Sequence, residues 1–546
     1  MFLKLNGIEL QASAGERWLD LTQKLKQGVR GALGVTVGGE TFSLAESVKE
    51  YARARLLTYA DEEGRRIYER SLQLLFLAAV ARVCPGARTR FEHSLGQGLF
   101  LWVDWPGGTP LWKEVEARMR QLVDMNLPID VRSLTTRDAA RYFCDTRQYD
   151  RLRLLKHRRF DRFTLYRLDG CEDYFYGKMA PSTACLPAFA LVPYAGGAVL
   201  MMPDPKDPTR PAAFVPQPKM MQVYSESARW SEILGCQNAS DLIEMAESGG
   251  LREFIRVNEA LQEHRIAEIA GQFAQSGARV VLIAGPSSSG KTTFAHRLAI
   301  ALKVLGLKPQ KLSLDDYYRN RATLPREADG SIDLERMDTL DVALLNEHLP
   351  RLLAGETVEL PEYDFTTGNR TAHTHPMQLA EGQPLIIEGI HALNDALTVS
   401  VPRESKFKIY VSALTMLNLD DHNRIRTTDA RLLRRIVRDN LFRGTPPEGT
   451  MAMWESVRHG EDHYIFPFQE EADALFNSAL NYELPVLKRH AWAQLKAVQP
   501  DSPYFTLAGR LIKFLNYIPD VDVEDEVPLN SILREFIGGC CFYREK

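Results

Sequence analysis

The chain has 546 residues, of which 45% are hydrophobic and 25% charged; these values are ordinary for folded soluble proteins and exclude a disordered, collagen-like or disulfide-scaffold chain. At about 150 residues per domain the length predicts three or four domains, and a net charge of −4 gives no overall sign of nucleic-acid binding, although a local basic patch remains compatible with it. Seven cysteines without metal-ligand spacing indicate a reducing compartment, and since we find neither a signal-peptide pattern nor a long apolar run, we expect a cytoplasmic protein without a membrane segment.

The first 60 residues or so predict a small α+β module. Asn6-Gly7 lies between two short alternating stretches, which is a strong β-hairpin signal. Residues 18–25 have helical spacing, and Gly38-Gly39 marks a second hairpin.

The next segment mixes helices and strands. Helical patterns cover 63–83 and 111–127, and residues 163–201 are aromatic and β-prone. Residues 151–162 carry six basic residues and one acid, and 203–218 is a proline-rich connection. One or two helices are predicted over 241–274.

After Gly277 the pattern changes to strand–helix alternation. Residues 280–284 form a continuous apolar run, as expected for a strand that is buried on both faces of a parallel sheet. Similar short runs follow at 311–314, 385–387 and 408–411, separated by helical stretches. This alternation predicts an α/β fold with a parallel sheet. The end of the chain adds an amphipathic helix over 507–515, an acidic stretch and a final apolar segment.

The strongest chemical signal follows the first of these strands. The sequence GPSSSGKT at 285–292 matches G-x-x-x-x-G-K-[ST] and precedes a predicted helix. Such a loop wraps phosphate with backbone N–H groups at a helix N-terminus, while its lysine reaches the outer phosphates and its hydroxyl holds Mg²⁺. The predicted ATP-binding residues of this loop are Gly285, Ser287, Ser288, Ser289, Gly290, Lys291, Thr292 and Thr293, with Thr292 also a ligand of Mg²⁺.

Acidic residues follow two further strands. Asp315 and Asp316 come after 311–314, where ligands bind in doubly wound sheets, and a carboxylate there could take the proton of an acceptor hydroxyl. They could equally cap the following turn. Glu388 ends the strand 385–387 and is expected to hold Mg²⁺, unless it is merely an acid at an exposed strand end.

Five arginines lie on one predicted helix. Arg431, Arg434, Arg435, Arg438 and Arg443 are spaced so that several share one face. An uncompensated arginine face near a phosphate loop suits a lid that stabilises charge during phosphoryl transfer; the alternative is a solvated charged helix.

Together these motifs resemble the uridine kinase/phosphoribulokinase family over roughly 279–490. The matching stretches are GPSSSGKT, LDDYYR, PEYDFTTGNR, IIEGIHAL and DARLLRRIVRDNLFRG. The resemblance implies that Asp315 is the general base, that Lys291 and Arg438 are catalytic, that Glu388 belongs to the Mg²⁺ site and that Arg443 contacts phosphate. For the substrate it implies Asp315, Tyr318, Glu335, Tyr363 and Arg435, with Tyr363 packing on a pyrimidine.

Two positions depart from that family. Gly368 stands where uridine kinases carry the histidine that reads the uracil, and Glu335 replaces the aspartate that contacts the ribose. The loss of a base-reading donor leaves the substrate open.

The N-terminal half has resemblances of its own. Residues 1–60 are similar to the TGS module, and 61–235 to the second additional (editing) domain of threonyl-tRNA synthetases. The four positions that bind zinc in that family are Arg70, Leu74, Phe175 and Met179 here, and none is a normal zinc ligand. We therefore expect no zinc there, and a scaffold, a regulatory module or an RNA contact instead. His93 is expected to be structural.

The predicted domains are a TGS-like domain (1–60), an editing-domain-like region (61–235), a helical linker (236–278), a P-loop kinase domain (279–495) and a C-terminal tail (496–546). The predicted function is ATP- and Mg²⁺-dependent transfer of phosphate to a hydroxyl of a nucleoside or related small molecule. The alternative is an RNA- or tRNA-binding regulator switched by ATP, which the basic segment 151–162 favours. A homo-oligomer is compatible with the sequence.

Overall fold

A computed structural model describes residues 2–13, 15–25, 31–48, 53–156, 162–326, 332–364 and 367–543. Over these residues, no helix combines the length and the apolar character that crossing a membrane requires.

The N-terminal module is a five-stranded sheet covered by one helix. Its sheet order is β2-β1-β5-β3-β4. Asn6 and Gly7 both have positive φ, as a two-residue hairpin turn requires, which confirms the predicted hairpin. The elements are β1 (Phe2–Leu5), β2 (Ile8–Gln11), α1 (Trp18–Lys24), β3 (Gly34–Val37), β4 (Glu40–Ser43) and β5 (Arg53–Leu57).

The second region packs a long buried helix, α2, against two antiparallel sheets. The sheet orders are β11-β12-β7-β6 and β10-β9-β8. The helices are α2 (Glu62–Val83), α3 (Trp112–Asp124), α4 (Thr136–Asp145) and α5 (Tyr149–Leu155). The strands are β6 (Arg88–Leu95), β7 (Gly98–Asp104), β8 (Asp130–Thr135), β9 (Arg162–Leu168), β10 (Cys171–Tyr174), β11 (Ala190–Tyr194) and β12 (Gly197–Met201), followed by the small hairpin β13 (Pro203–Asp204) and β14 (Asp207–Pro211).

Three helices lead into the last region, which is built on a parallel sheet of order β16-β19-β15-β20-β23. The helices are α6 (Pro218–Ile233), α7 (Ala239–Ser248), α8 (Leu251–Ser276), α9 (Lys291–Val304), α10 (Val342–Leu353), α11 (Thr427–Arg443), α12 (Pro447–Tyr464), α13 (Glu483–Lys496), α14 (Phe505–Leu515) and α15 (Arg534–Ile537). The strands are β15 (Val280–Ala284), β16 (Gln310–Ser313), β17 (Val358–Asp364), β18 (Asn369–Met377), β19 (Leu385–Glu388), β20 (Lys406–Ser412), β21 (Asn418–Asp420), β22 (Asn423–Arg424) and β23 (Ala474–Asn477).

The parallel sheet confirms the predicted α/β architecture and brings the chemical motifs to one edge. All four pairings between its strands are parallel. The central strand β15 is fully buried, because helices cover both faces of the sheet. The phosphate loop, the Asp315 turn and Glu388 therefore all follow the carboxyl ends of neighbouring strands.

Part of the basic segment 151–162 is neutralised within the protein. The buried Arg151 guanidinium donates to Asp173, and Arg153 donates to Glu244. Lys156 lies 3.5 Å from Glu247. Residues 157–161 lie outside the described residues. The three basic residues on α5 and at its end are thus not the free patch that the RNA-binding alternative requires.

Candidate active site

The phosphate loop between β15 and α9 is fitted tightly against the neighbouring strand. A Cβ atom on Gly285 would lie 2.0 Å from the Val411 carbonyl oxygen, so only glycine fits there. Ser288 and Gly290 have φ values of +58° and +79°, which glycine tolerates and serine adopts only at a cost. The loop is therefore held in the tight shape that a phosphate cradle needs.

The outer side of this loop is bound by other elements. The Arg431 guanidinium donates to the Ser287 carbonyl at 2.9 Å, and the Ser478 hydroxyl donates to the Ser289 carbonyl at 2.5 Å. The hydroxyls of Ser288 and Ser289 are buried and find no partner among the described residues. Buried hydroxyls without partners are costly.

Lys291 and Thr292 begin α9 beside the end of β19. Within the described residues, the Lys291 ammonium makes no ion pair within 4 Å, which leaves it available to an anion. The Thr292 hydroxyl donates to the Glu388 carboxylate at 3.3 Å. Burial raises the pKa of Glu388 to about 7, opposed by Lys291 and reinforced by Asp315 and Glu535. A hydroxyl and a carboxylate at this place suit Mg²⁺, so the predicted residues fit that ion.

Asp315 lies in a turn and not in a strand. β16 ends at Ser313 and residues 314–317 form one 3₁₀ turn. Successive side chains point to opposite faces only along a strand, so that rule does not separate Asp315 from Asp316. Asp315 is exposed, but the surrounding protein removes enough water from its carboxyl group to raise its pKa, while Lys291 and Arg443 oppose that rise. Asp316 instead accepts a long hydrogen bond from the Tyr363 N–H at 3.5 Å. The two aspartates thus have different surroundings, and Asp315 is the one near the loop lysine.

The arginines of α11 are largely compensated, contrary to the sequence-based prediction of an uncompensated face. Buried Arg431 and Arg434 pair with Glu461 and Glu483. Sequence spacing could not reveal this, because both acids come from later elements.

The other three arginines of α11 share the buried carboxylate of Asp439, at 3.3, 2.8 and 3.5 Å from Arg435, Arg438 and Arg443 respectively. Arg435 also donates to the Ser287 hydroxyl at 2.6 Å. One carboxylate for three guanidinium groups leaves this group of four side chains with a net positive charge.

Three residues that were predicted to bind the acceptor, Tyr318, Glu335 and Tyr363, lie near one another. The rings of Tyr318 and Tyr363 are 5.5 Å apart. Burial and the nearby Glu461 raise the pKa of Glu335 to about 7, while Arg435 and Lys291 oppose the rise. Glu335 packs closely on Gly460 of α12: a Cβ atom added to Gly460 would lie 2.3 Å from the Cβ atom of Glu335. The structure thus groups these three side chains beside Asp315.

Gly368 lies in the turn between β17 and β18. A Cβ there would lie 3.0 Å from Nε of Arg321, and the Gly368 carbonyl accepts from the Arg321 N–H at 2.9 Å. An arginine from the neighbouring loop therefore lies where a longer side chain at 368 would project.

The four positions compared with zinc ligands have structural partners. Arg70 donates to the Lys178 carbonyl and pairs with Glu63, both at 3.0 Å, while Leu74, Phe175 and Met179 are buried in the core around α2. The expected absence of zinc stays a prediction.

His93 is buried between the rings of Tyr224 and Phe100. Burial lowers its pKa well below the usual value, so it is a neutral packed residue, consistent with a structural role.

Sequence reasoning missed two carboxylates that touch the loop. Glu461 of α12 accepts from the Ser287 N–H at 3.1 Å. Glu535 of α15 accepts from the Thr293 N–H at 3.2 Å and from the Thr293 hydroxyl at 2.7 Å. Neither residue lies in a recognisable motif.

A glycine-rich loop at the carboxyl edge of a parallel sheet, with acids at the ends of β19 and β16 on one side of it, is typical of the P-loop kinase fold. Residues 280–484 match the model of the "Phosphoribulokinase / Uridine kinase family". The uridine kinase of Deinococcus deserti is 30% identical over 197 residues, covering 36% of this chain and 86% of that protein. The uridine kinase of Vibrio campbellii is 31% identical over 223 residues, covering 40% and 96%, and that of Halobacterium salinarum is 29% identical over 201 residues, covering 36% and 80%.

The chain belongs to the phosphoribulokinase/uridine kinase family. The family match ends at residue 484 and begins at residue 280, so the N-terminal half and the last 62 residues lie outside it.

Proposed function

We propose that the protein is an ATP- and Mg²⁺-dependent kinase that transfers the γ-phosphate to a hydroxyl of a nucleoside or a related small molecule. The observation that carries this proposal is the convergence of Lys291, Asp315 and the Thr292–Glu388 pair at one sheet edge. Phosphoryl transfer depends on positioning and on charge neutralisation, and each of these needs has a candidate group at that edge.

In this proposal Asp315 accepts the proton of the acceptor hydroxyl. The hydroxyl oxygen forms a bond to the γ-phosphorus of ATP, the bond from that phosphorus to the bridging oxygen breaks, and ADP leaves. Lys291 and the arginines that share Asp439 stabilise the phosphate charge. Mg²⁺, held by Thr292 and Glu388, would neutralise charge on the outer phosphates.

The proposal also concerns which molecule accepts the phosphate group. Tyr318, Tyr363, Arg435 and Glu335 suit a ring that carries hydroxyl groups, as a nucleoside does. The Arg321 guanidinium beside Gly368 favours a second candidate, an acceptor with an anionic group, because it is a cation where uridine kinases have a histidine. Both candidates use the same reaction.

The test is an acceptor panel. Full-length protein with ATP and Mg²⁺ is incubated with uridine, cytidine, purine nucleosides or phosphorylated sugars, and the products are identified by mass spectrometry. We expect one class to gain a phosphate group, with ADP formed in equal amount. ADP formation that no acceptor increases, with no phosphorylated product, would contradict the proposal.

A further inference from the structure

The last described part of the chain, residues 531–543, lies on the phosphate loop. Ile532 is fully buried, and its Cγ2 atom would lie 2.3 Å from a Cβ on Gly290. The Tyr543 hydroxyl is 3.2 Å from the Thr293 hydroxyl, and the Phe542 ring stacks on His296 at 4.9 Å. We call residues 531–543 the covering segment.

The covering segment has one acidic side chain, Glu535. The Glu535 carboxylate accepts from both the N–H and the hydroxyl of Thr293, at 3.2 and 2.7 Å. Thr293 lies in the first turn of the 14-residue helix α9, where N–H groups attract anions. A carboxylate that is bonded to these donors takes them away from any other anion.

The covering segment is anchored from several sides. The Ser531 hydroxyl donates to buried Glu259 of α8 at 2.6 Å. Phe536 lies under the Arg434 guanidinium, 5.1 Å from it. Ahead of the segment, Arg252 of α8 lies 2.7 Å from Glu526. These contacts hold the segment between α8, α9 and α11.

We infer that the covering segment is an autoinhibitory contact: Glu535 occupies an anion position of the phosphate loop, and the nucleotide binds fully only after residues 531–543 have moved away. This inference rests on the proposed function. Two like charges cannot share the Thr293 donors, so Glu535 and a phosphate group exclude each other. Displacing the segment costs free energy that lowers the apparent affinity for ATP.

The chain that leads to the covering segment contacts the N-terminal module. The Thr506 hydroxyl at the start of α14 donates to the Gly39 carbonyl, and Arg510 lies 3.1 Å from Asp429 of α11. The chain that leaves α14 therefore runs from the N-terminal module to the phosphate loop.

The test compares Glu535→Gln and Glu535→Ala with the wild type. Asp522→Asn is the matched control, since Asp522 is an exposed carboxylate of the same C-terminal region that pairs with Arg489 at 3.1 Å. Affinity for the non-hydrolysable ATP analogue AMP-PNP with Mg²⁺ is measured by calorimetry on the full chain. We expect both Glu535 variants to bind about tenfold more tightly or better, and Asp522→Asn to match the wild type.

Hydrogen exchange supplies an independent readout. On addition of AMP-PNP and Mg²⁺ to the wild type, we expect amide exchange over 531–543 to increase while exchange over α8 stays unchanged. Equal affinities in the wild type and both Glu535 variants would overturn the inference, as would a covering segment that stays protected in the nucleotide complex. If no variant binds nucleotide, the proposed function fails and the inference with it; if all bind alike, the inference alone fails.

Discussion

The Arg66 guanidinium lies 3.0 Å from the Asp429 carboxylate, and both side chains are almost fully buried. Arg66 belongs to α2 of the N-terminal half, and Asp429 lies in the first turn of α11, the helix that carries the arginines near the phosphate loop. Arg510 of α14 reaches the same carboxylate at 3.1 Å. The Asp429 carboxylate thus joins α11 to α2 of the N-terminal half and to α14.

Arg66→Met should destabilise the protein. Removing one partner of a buried ion pair costs about 3–5 kcal/mol when the other charge is left alone, and because Arg510 remains beside Asp429 we expect the lower end of that range. Arg82→Met is the control, since Arg82 is on the same helix but pairs with Asp169 at an exposed position. Chemical denaturation measures the free energy of unfolding of both variants. A small and equal loss in the two variants would contradict the conclusion that Asp429 joins these helices.

The raised pKa of Glu335 predicts that the stability of the protein depends on pH. Its pKa is raised to about 7, mainly by burial and by Glu461, so the native state binds its proton more readily than the unfolded state does. The cost of the charged form is therefore fully present above pH 7, shrinks as the pH falls, and is gone below about pH 4.5.

Glu335→Gln should accordingly raise the melting temperature at pH 8 by more than at pH 5. The control is Glu356→Gln, a carboxylate that is exposed at the surface beside Arg351. Thermal unfolding at the two pH values measures the difference. A melting temperature that changes equally at both pH values would show that the pKa of Glu335 is not raised in the native state.

Lys291→Ala should abolish phosphoryl transfer without unfolding the chain. Lys291 makes no ion pair with the described residues, so its removal leaves no buried partner unsatisfied, whereas the transition state loses a cation. Lys303→Ala, an exposed lysine at the other end of α9, is the matched control. Circular dichroism and turnover are compared; normal turnover by folded Lys291→Ala would contradict the kinase assignment.

Local patterns predicted the elements whose signals are continuous in sequence. The strand 280–284 and the loop that follows were predicted where the structure has them, because an apolar run and a glycine-rich motif are local features. β23, Ala474–Asn477, was not predicted: its apolar residues include no valine or isoleucine, whereas those of β15 and β19 do.

The site could be predicted only as far as its motifs extend. Glu461 and Glu535 reach the phosphate loop from 174 and 242 residues away, and only tertiary packing brings them there. The same holds for Glu483, which neutralises Arg434. Asp315 and Asp316 show a second limit. Side chains alternate between the two faces of a sheet only along a strand, and β16 ends at Ser313, so the sequence pattern does not determine where either aspartate points.

The most direct test of the central claim compares Asp315→Asn with Asp316→Asn. Asparagine keeps the shape of the side chain but cannot accept the proton, so Asp315→Asn should lower turnover by about 10²–10⁴ while AMP-PNP affinity changes little. Asp316→Asn should remain close to the wild type in both. The measurement is steady-state transfer to the acceptor identified in the panel, beside calorimetric nucleotide binding. If both variants transfer phosphate like the wild type, Asp315 is not the base and the proposed mechanism is wrong.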